Sequence, residues 1–258
     1  MIKFFRKIRQ QMLAENKFTK YLIYALGEIV LVVIGILIAM QINNWNEVRK
    51  VEKTNKVLLK KLIGELDLNM ARLTYLDTSN SDENGVSKLD RVLANADTAL
   101  HYMTSGLDTS RIVWMLETRQ WSAFRFNLHS SVYQEMISTG RLYTLEPDSL
   151  TQQIESYYRA LEQKEFYLNK MVDGVHRHWE ACTYGEASLE TEFKKYGVGA
   201  LEHHQWVFDR HSKNYLDLQQ AVKRSSIVMH YEKAELISQL ELSQQLKQEI
   251  EAVLESDR

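Results

Sequence analysis

The segment Tyr21 to Met40, YLIYALGEIVLVVIGILIAM, constrains this chain more than any other: twenty consecutive residues carry a single charge, that of Glu28. Wound as an α-helix at ~1.5 Å per residue, such a run measures about 30 Å, the thickness of a bilayer's hydrocarbon core. Tyr21 and Tyr24 stand at one end, and Asn43, Asn44 and Trp45 follow the other. Those are the candidate interface anchors, because amphipathic rings favour the headgroup region. The run is too long for the apolar part of a cleaved signal peptide, and no small-x-small site follows it. The expectation is an uncleaved transmembrane helix over residues 21–42, with the lipid bilayer as its first partner.

Residues 1–20 form a basic amino-terminal segment. Ile2, Phe5, Ile8 and Met12 fall at helical spacing with Lys3, Arg6, Lys7 and Arg9 between them. The pattern suits a short helix lying on an anionic leaflet, and equally a plain positively charged flank. Six Lys/Arg lie in residues 1–20 and six more in 43–62, so the charge count does not orient the helix. Large domains translocate largely regardless of charge, which favours a cytoplasmic amino terminus and an extracytoplasmic carboxyl-terminal domain.

Glu28 needs a reason, since a carboxylate at the centre of a membrane helix costs about 2.5–3.5 kcal/mol on insertion scales. Glu28, Gly35, Ala39 and Ile42 share one helical face. Gly35 and Ala39 form a small-x-x-x-small pair, which lets two helices approach closely. The face reads as a helix–helix contact with Glu28 as a hydrogen-bonding group; the alternative is a carboxylate that reaches the near interface.

Beyond the anchor, residues 43–258 read as one helical domain. The chain has one proline and ten glycines in 258 residues, and such scarcity of breakers favours long helices over a sandwich or barrel. A first apolar stripe (Leu58, Leu62, Leu66, Met70, Leu73, Leu76) continues the anchor as a stalk and ends in the polar run from Asp77 to Gly85. A second runs from Val86 to Met103, with Gly106 as its C-cap. Residues 111–128 read either as a short helix or as a loop over the bundle. Ser131 to Gln134 has the form of a capping box, with Gly140 closing that short helix. Asp148 or Ser149 is placed to cap a long helix in which Ile154, Leu161, Leu168, Val175 and Cys182 recur every seven residues, a coiled-coil-like seam ended by Gly185. Leu189 to Tyr196 is a smaller helix before the glycines at 197 and 199. A last helix, Trp206 to Leu254, is expected to kink near its middle. The fold class is therefore all-α: one transmembrane helix continuing into an elongated antiparallel helical bundle.

The blocks MIKFFRKIRQ (1–10), ENKFTKYLIYALGEIVLVVIGILIAMQINNWNE (15–47) and SSVYQEMISTGRLYTLEPDSL (130–150), followed by Tyr157 and Tyr158, resemble an uncharacterised family of single-pass membrane proteins of Bacteroidota. Met136 and Ile137 depart from the wording usual in that family. The resemblance implies a bacterial inner-membrane anchor and a helical domain, with no activity, cofactor or catalytic residue to carry over. Glu28, Asn43, Asn44 and Trp45 lie in the matched blocks.

No phosphate loop, nucleophile elbow, HExxH or cysteine-pair zinc pattern is present. Cys182 is the sole cysteine, so no intramolecular disulfide is available. Asp173, His176 and Glu180 share a helix face that could offer metal ligands, although a hydrated face explains them as well. His203 and His204 are adjacent, and their rings are expected to diverge. Trp114, Trp121, Trp179 and Trp206 read as core or as pocket lining. The net charge of −2 gives no ground for a nucleic-acid partner. The sequence favours a non-enzymatic, cofactor-free interaction or scaffold protein that forms a homo-oligomer through its membrane helix and engages an unidentified protein. A sensory or signal-relay module, binding a ligand or envelope partner, is the alternative; a metal-dependent enzyme ranks third.

Overall fold

The computed structural model describes residues 18–78, 87–118, 125–183 and 188–256. Among them there are seven α-helices and no strand: α1 (Phe18–Thr78), α2 (Lys88–Ser105), α3 (Thr109–Glu117), α4 (Ser131–Ser138), α5 (Asp148–Thr183), α6 (Leu189–Tyr196) and α7 (Lys213–Ser256). Short 3₁₀ turns cover Arg141–Thr144, Gly197–Glu202 and Gln205–Phe208. The all-α expectation holds. The basic segment at 1–17, the Asp77–Gly85 breaker beyond Thr78, Trp121, Phe124 and Gly185 lie outside the described residues. The chain divides into two compact units, Met1–Val57 and Leu58–Arg258.

The first unit contains the apolar part of α1. An 18-residue window there has a mean hydropathy of 2.5 and none of it is buried. This helix is long and apolar enough to cross a membrane.

The second unit is a helical bundle whose directions follow from its polar pairs. Tyr157, Lys164 and Trp179 of α5 meet Ser243, Ser238 and Ser225 of α7, so rising numbers on one helix face falling numbers on the other. The same holds for α2 on α7, where Asp90 pairs with Lys233, Asp97 with His230, and Met103 accepts from Tyr215. Asp67 of α1 pairs with Lys247 further along α7. The end of α1 and all of α2 therefore occupy consecutive stretches of one long helix, α7, rather than forming an up-and-down pair.

Beside a small cluster of Ile112, Leu189, Leu201 and Val207, two larger apolar clusters fill this bundle. One joins Leu58, Leu62 and Leu66 of α1 to Tyr133, Leu150, Ile154 and Ile250. The other joins Leu73 to the α2 stripe, to Leu168 and Val175 of α5, and to Tyr215, Val222 and Met229 of α7. Along α5 the buried positions also include Tyr158, Val172 and Trp179. That extra column makes the apolar stripe wider than a two-helix seam and lets α5 face α1 and α7 together.

Local chemistry sets the helix ends. Ser87 caps α2, Asp108 caps α3 and Ser188 caps α6, each side-chain oxygen accepting a backbone N–H of the first turn. Gly140 follows α4 with φ +69°, a left-handed conformation that glycine adopts without a Cβ clash. One open expectation is resolved and two change. Residues 109–117 are helix α3, while 125–130 form an irregular loop in which Asn127 has φ +51°. Helix α5 begins at Asp148, which places both Asp148 and Ser149 inside the first turn. Helix α7 begins at Lys213 and is unbroken to Ser256; Trp206 belongs to the 3₁₀ turn before it. The physical reason is Ser212, whose Oγ accepts the Tyr215 N–H and starts the helix there.

Candidate functional site

Glu65, Asn69 and Arg72 of α1 lie at i, i+4 and i+7, one face of the helix, and together they hold the backbone of residues 126–132. Glu65 Oε2 accepts from the Val132 N–H at 2.7 Å and from Ser131 Oγ at 3.0 Å, while Oε1 accepts from the Tyr158 hydroxyl at 2.7 Å. Asn69 makes two bonds to one residue: its amide donates to the His129 carbonyl at 2.8 Å and its oxygen accepts the His129 N–H at 2.7 Å. Arg72 Nε donates to the Phe126 carbonyl at 3.3 Å. From α5, Glu165 accepts the Leu128 N–H at 3.1 Å, and Asp173 receives the Arg125 guanidinium at 2.6 Å.

An irregular loop leaves backbone donors and acceptors without helix or strand partners, and inside a protein each needs one. Here side chains of α1 and α5 supply those partners. Glu65 also replaces the expected capping box. Ser130, at the cap position of α4, makes no side-chain cap bond, and the Val132 N–H goes instead to a carboxylate from another helix. A carboxylate at a helix N-terminus also meets the positive end of the helix dipole. The Tyr158 ring stacks on Tyr133 at 4.2 Å and meets Tyr157 edge-on at 4.9 Å. Burial first, and then the charge of Glu65, push the Tyr158 hydroxyl well above the ordinary phenol range, so it stays a donor. The constellation is a clamp whose groups act on the chain itself.

The residues singled out from sequence fall elsewhere. Gly35 and Ala39 are exposed on α1 and Glu28 is half-exposed. A Cβ added at Gly35 would meet nothing within 4 Å. Asn43, Asn44 and Trp45 are exposed, and the Arg49 guanidinium lies 4.8 Å from the Trp45 ring centroid. Tyr21 and Tyr24 belong to α1, but their side chains lie outside the described part of the structure.

Among the described residues no group of three metal-type side chains converges. Asp173, His176 and Glu180 are all exposed, and Asp173 is engaged by Arg125. The two adjacent histidines do not diverge. His203 Nδ1 and His204 Nε2 both reach Glu192 Oε2, at 3.1 and 3.4 Å, because the turn after α6 folds them back over that helix. The His203 hydrogen bond first, and then the charge that the two imidazoles carry when protonated, hold the Glu192 carboxyl below its usual range. Trp179 is core, donating to Ser225 Oγ at 2.8 Å; Trp114 packs edge-on against Tyr102; Trp206 donates to His204 Nδ1.

Sequence reading missed Glu65, Asn69 and Arg72 because each sits beside the apolar stripe and reads as solvent-facing. The available signal was their shared face, adjoining Leu62, Leu66 and Leu73, on a helix already expected to enter a core. No curated protein and no solved structure matches the chain. One family model does, over residues 28–179, which takes in Glu28, Gly35, Ala39 and every residue of the clamp. That match spans more than half of the sequence, and the chain belongs to the family of unknown function DUF6090.

Proposed function

We propose that this is a non-enzymatic, membrane-anchored interaction protein that self-associates through α1 and presents its helical bundle to another protein. The observation that carries the reading is the apolar window of α1, with a mean hydropathy of 2.5 and nothing among the described residues covering it. The apolar stripes of α2, α5 and α7 are buried in the bundle. An apolar surface of that extent is far larger than a water-soluble monomer carries, and a bilayer removes it from water. The open space at Gly35, on the face shared with Glu28 and Ala39, leaves room for the backbone of a second helix. The membrane is read as the inner membrane of a bacterium of the Bacteroidota. The amino terminus is placed in the cytoplasm and the bundle outside it, since a large domain translocates largely regardless of flanking charge.

Cross-linking of the full chain in native membranes tests the association. A dimer band that Glu28→Leu with Gly35→Leu removes is the expected result; an unchanged band would end the self-association reading. Reporter fusions after Arg258 and at the amino terminus test orientation, and a cytoplasmic carboxyl terminus would reverse it.

A further inference from the structure

An open cavity of about 470 Å³ lies between α5 and α7. Among the described residues its charged lining is of one sign: Lys170 and Arg177 from α5, Lys223 and Arg224 from α7, with no carboxylate. At its floor is Gly174, which is buried; a Cβ there would stand 3.9 Å from Arg177 Nη2 and 3.9 Å from Arg224 Nη1. The two guanidinium nitrogens are therefore no further apart than twice that distance.

Elsewhere in this bundle, three lysines between helices are neutralised. Lys164 pairs with Glu235, Lys233 with Asp90 and Lys247 with Asp67. At the cavity, Arg177, Lys223 and Arg224 form no ion pair among the described residues, and the Lys170 ammonium lies over the Phe166 ring at 4.4 Å. The neighbouring acid, Asp173, is held by Arg125. All four cations are exposed, so water screens part of their mutual repulsion, and an anion seated between them would relieve the rest. Paired guanidiniums present forked N–H donors that match phosphate oxygens, and glycine leaves room for the anion to sit low between them. The walls are not purely polar: Tyr167 is 52% and Ile227 51% exposed, and both line the cavity. The volume is that of a small-molecule site.

We propose that this cavity binds a phosphomonoester attached to an apolar group, with the phosphate between Arg177 and Arg224 and the apolar part against Tyr167 and Ile227. Such a compound is either soluble or a lipid with a phosphate headgroup, and the chemistry recognised is the same. A ligand site in the bundle is what a sensory role would need, and it does not depend on self-association through α1.

The test is calorimetric titration of the full chain, held in phosphatidylcholine nanodiscs, with phenyl phosphate. Saturable binding is expected, weakened at least about tenfold by Arg177→Gln with Arg224→Gln while the melting temperature holds. Gly174→Glu is the second variant. It sets a carboxylate between the guanidiniums on a residue with better helix propensity than glycine, so binding should vanish without loss of stability. Repeating the titration in nanodiscs containing phosphatidic acid separates the sources: competition assigns the site to a lipid headgroup, and unchanged binding to a soluble ester. Absence of binding to the unmodified chain, or equal affinity in both variants, overturns the proposal.

Discussion

At Glu65 one carboxylate does the work that a capping box would do within a single helix, and it does so from α1, sixty-seven positions before Val132. Its two oxygens face three donors: a backbone N–H, a serine hydroxyl and the Tyr158 hydroxyl. Glu65→Gln keeps the volume but turns one acceptor into a donor, which then confronts a donor in a site only 4% exposed. A loss of about 1–3 kcal/mol is expected from leaving those groups unsatisfied. Tyr158→Phe removes only one bond and should cost about 1 kcal/mol. Thermal unfolding of the full chain in detergent measures both. A Glu65→Gln melting temperature equal to the parent's would show that the clamp is not what holds residues 126–132.

Between elements, polar side chains set the register that apolar stripes alone leave loose. On α7, Leu218, Ser225, Glu232, Gln239 and Leu246 recur every seven residues and all are buried. Ser225 accepts from Trp179, and Ser243 bonds Tyr157, so sliding α5 along α7 by one turn would break both. Element ends depend on single residues in the same way. Gly140, at φ +69°, carries the chain out of α4 into the turn that positions Leu142 in the core. Gly140→Ala meets no neighbour, yet it forces an L side chain into the left-handed region, and a loss of about 1 kcal/mol is expected. Chemical denaturation of the variant checks it, with Gly64→Ala as a control: that glycine has helical geometry and open space, so the change should be neutral or stabilising.

For the whole molecule, the charge pairs predict how stability follows pH. Lys233, hydrogen-bonded to Asp90, holds that carboxyl below its usual value, and His203 does the same for Glu192. A carboxyl whose folded value is depressed contributes stability that is fully present above the ordinary carboxylate range. That contribution is lost as pH falls from about 4 through the lowered value, because the unfolded chain takes up protons first. On the alkaline side, burial raises the Tyr157 and Tyr158 hydroxyls, so the unfolded chain loses those protons first and stability falls above about pH 10. Urea midpoints across pH should therefore decline at both ends. Lys233→Gln should flatten part of the acid limb and leave the alkaline limb alone; an unchanged acid limb would show that Asp90 is not among the groups responsible.

What could be read from residue order was whatever repeats locally. The membrane-length run, the stripes of α2 and α5, the bounds of α6 and the stop at Gly140 all follow from periodicity and backbone freedom within a few residues. The extra buried column of α5 could not be read that way, since Tyr158, Val172 and Trp179 are buried only because α1 and α7 both lie against that helix. The start of α7 was misplaced because Gln205–Phe208 is helical in a different sense, a 3₁₀ turn, until Ser212 begins the α-helix. The clamp, the convergence of His203 and His204 on Glu192, and the cationic cavity at Gly174 were decided by tertiary structure alone. Each joins residues tens of positions apart or across a reversal of chain, and a charge's partner, or its lack of one, exists only once the helices are packed.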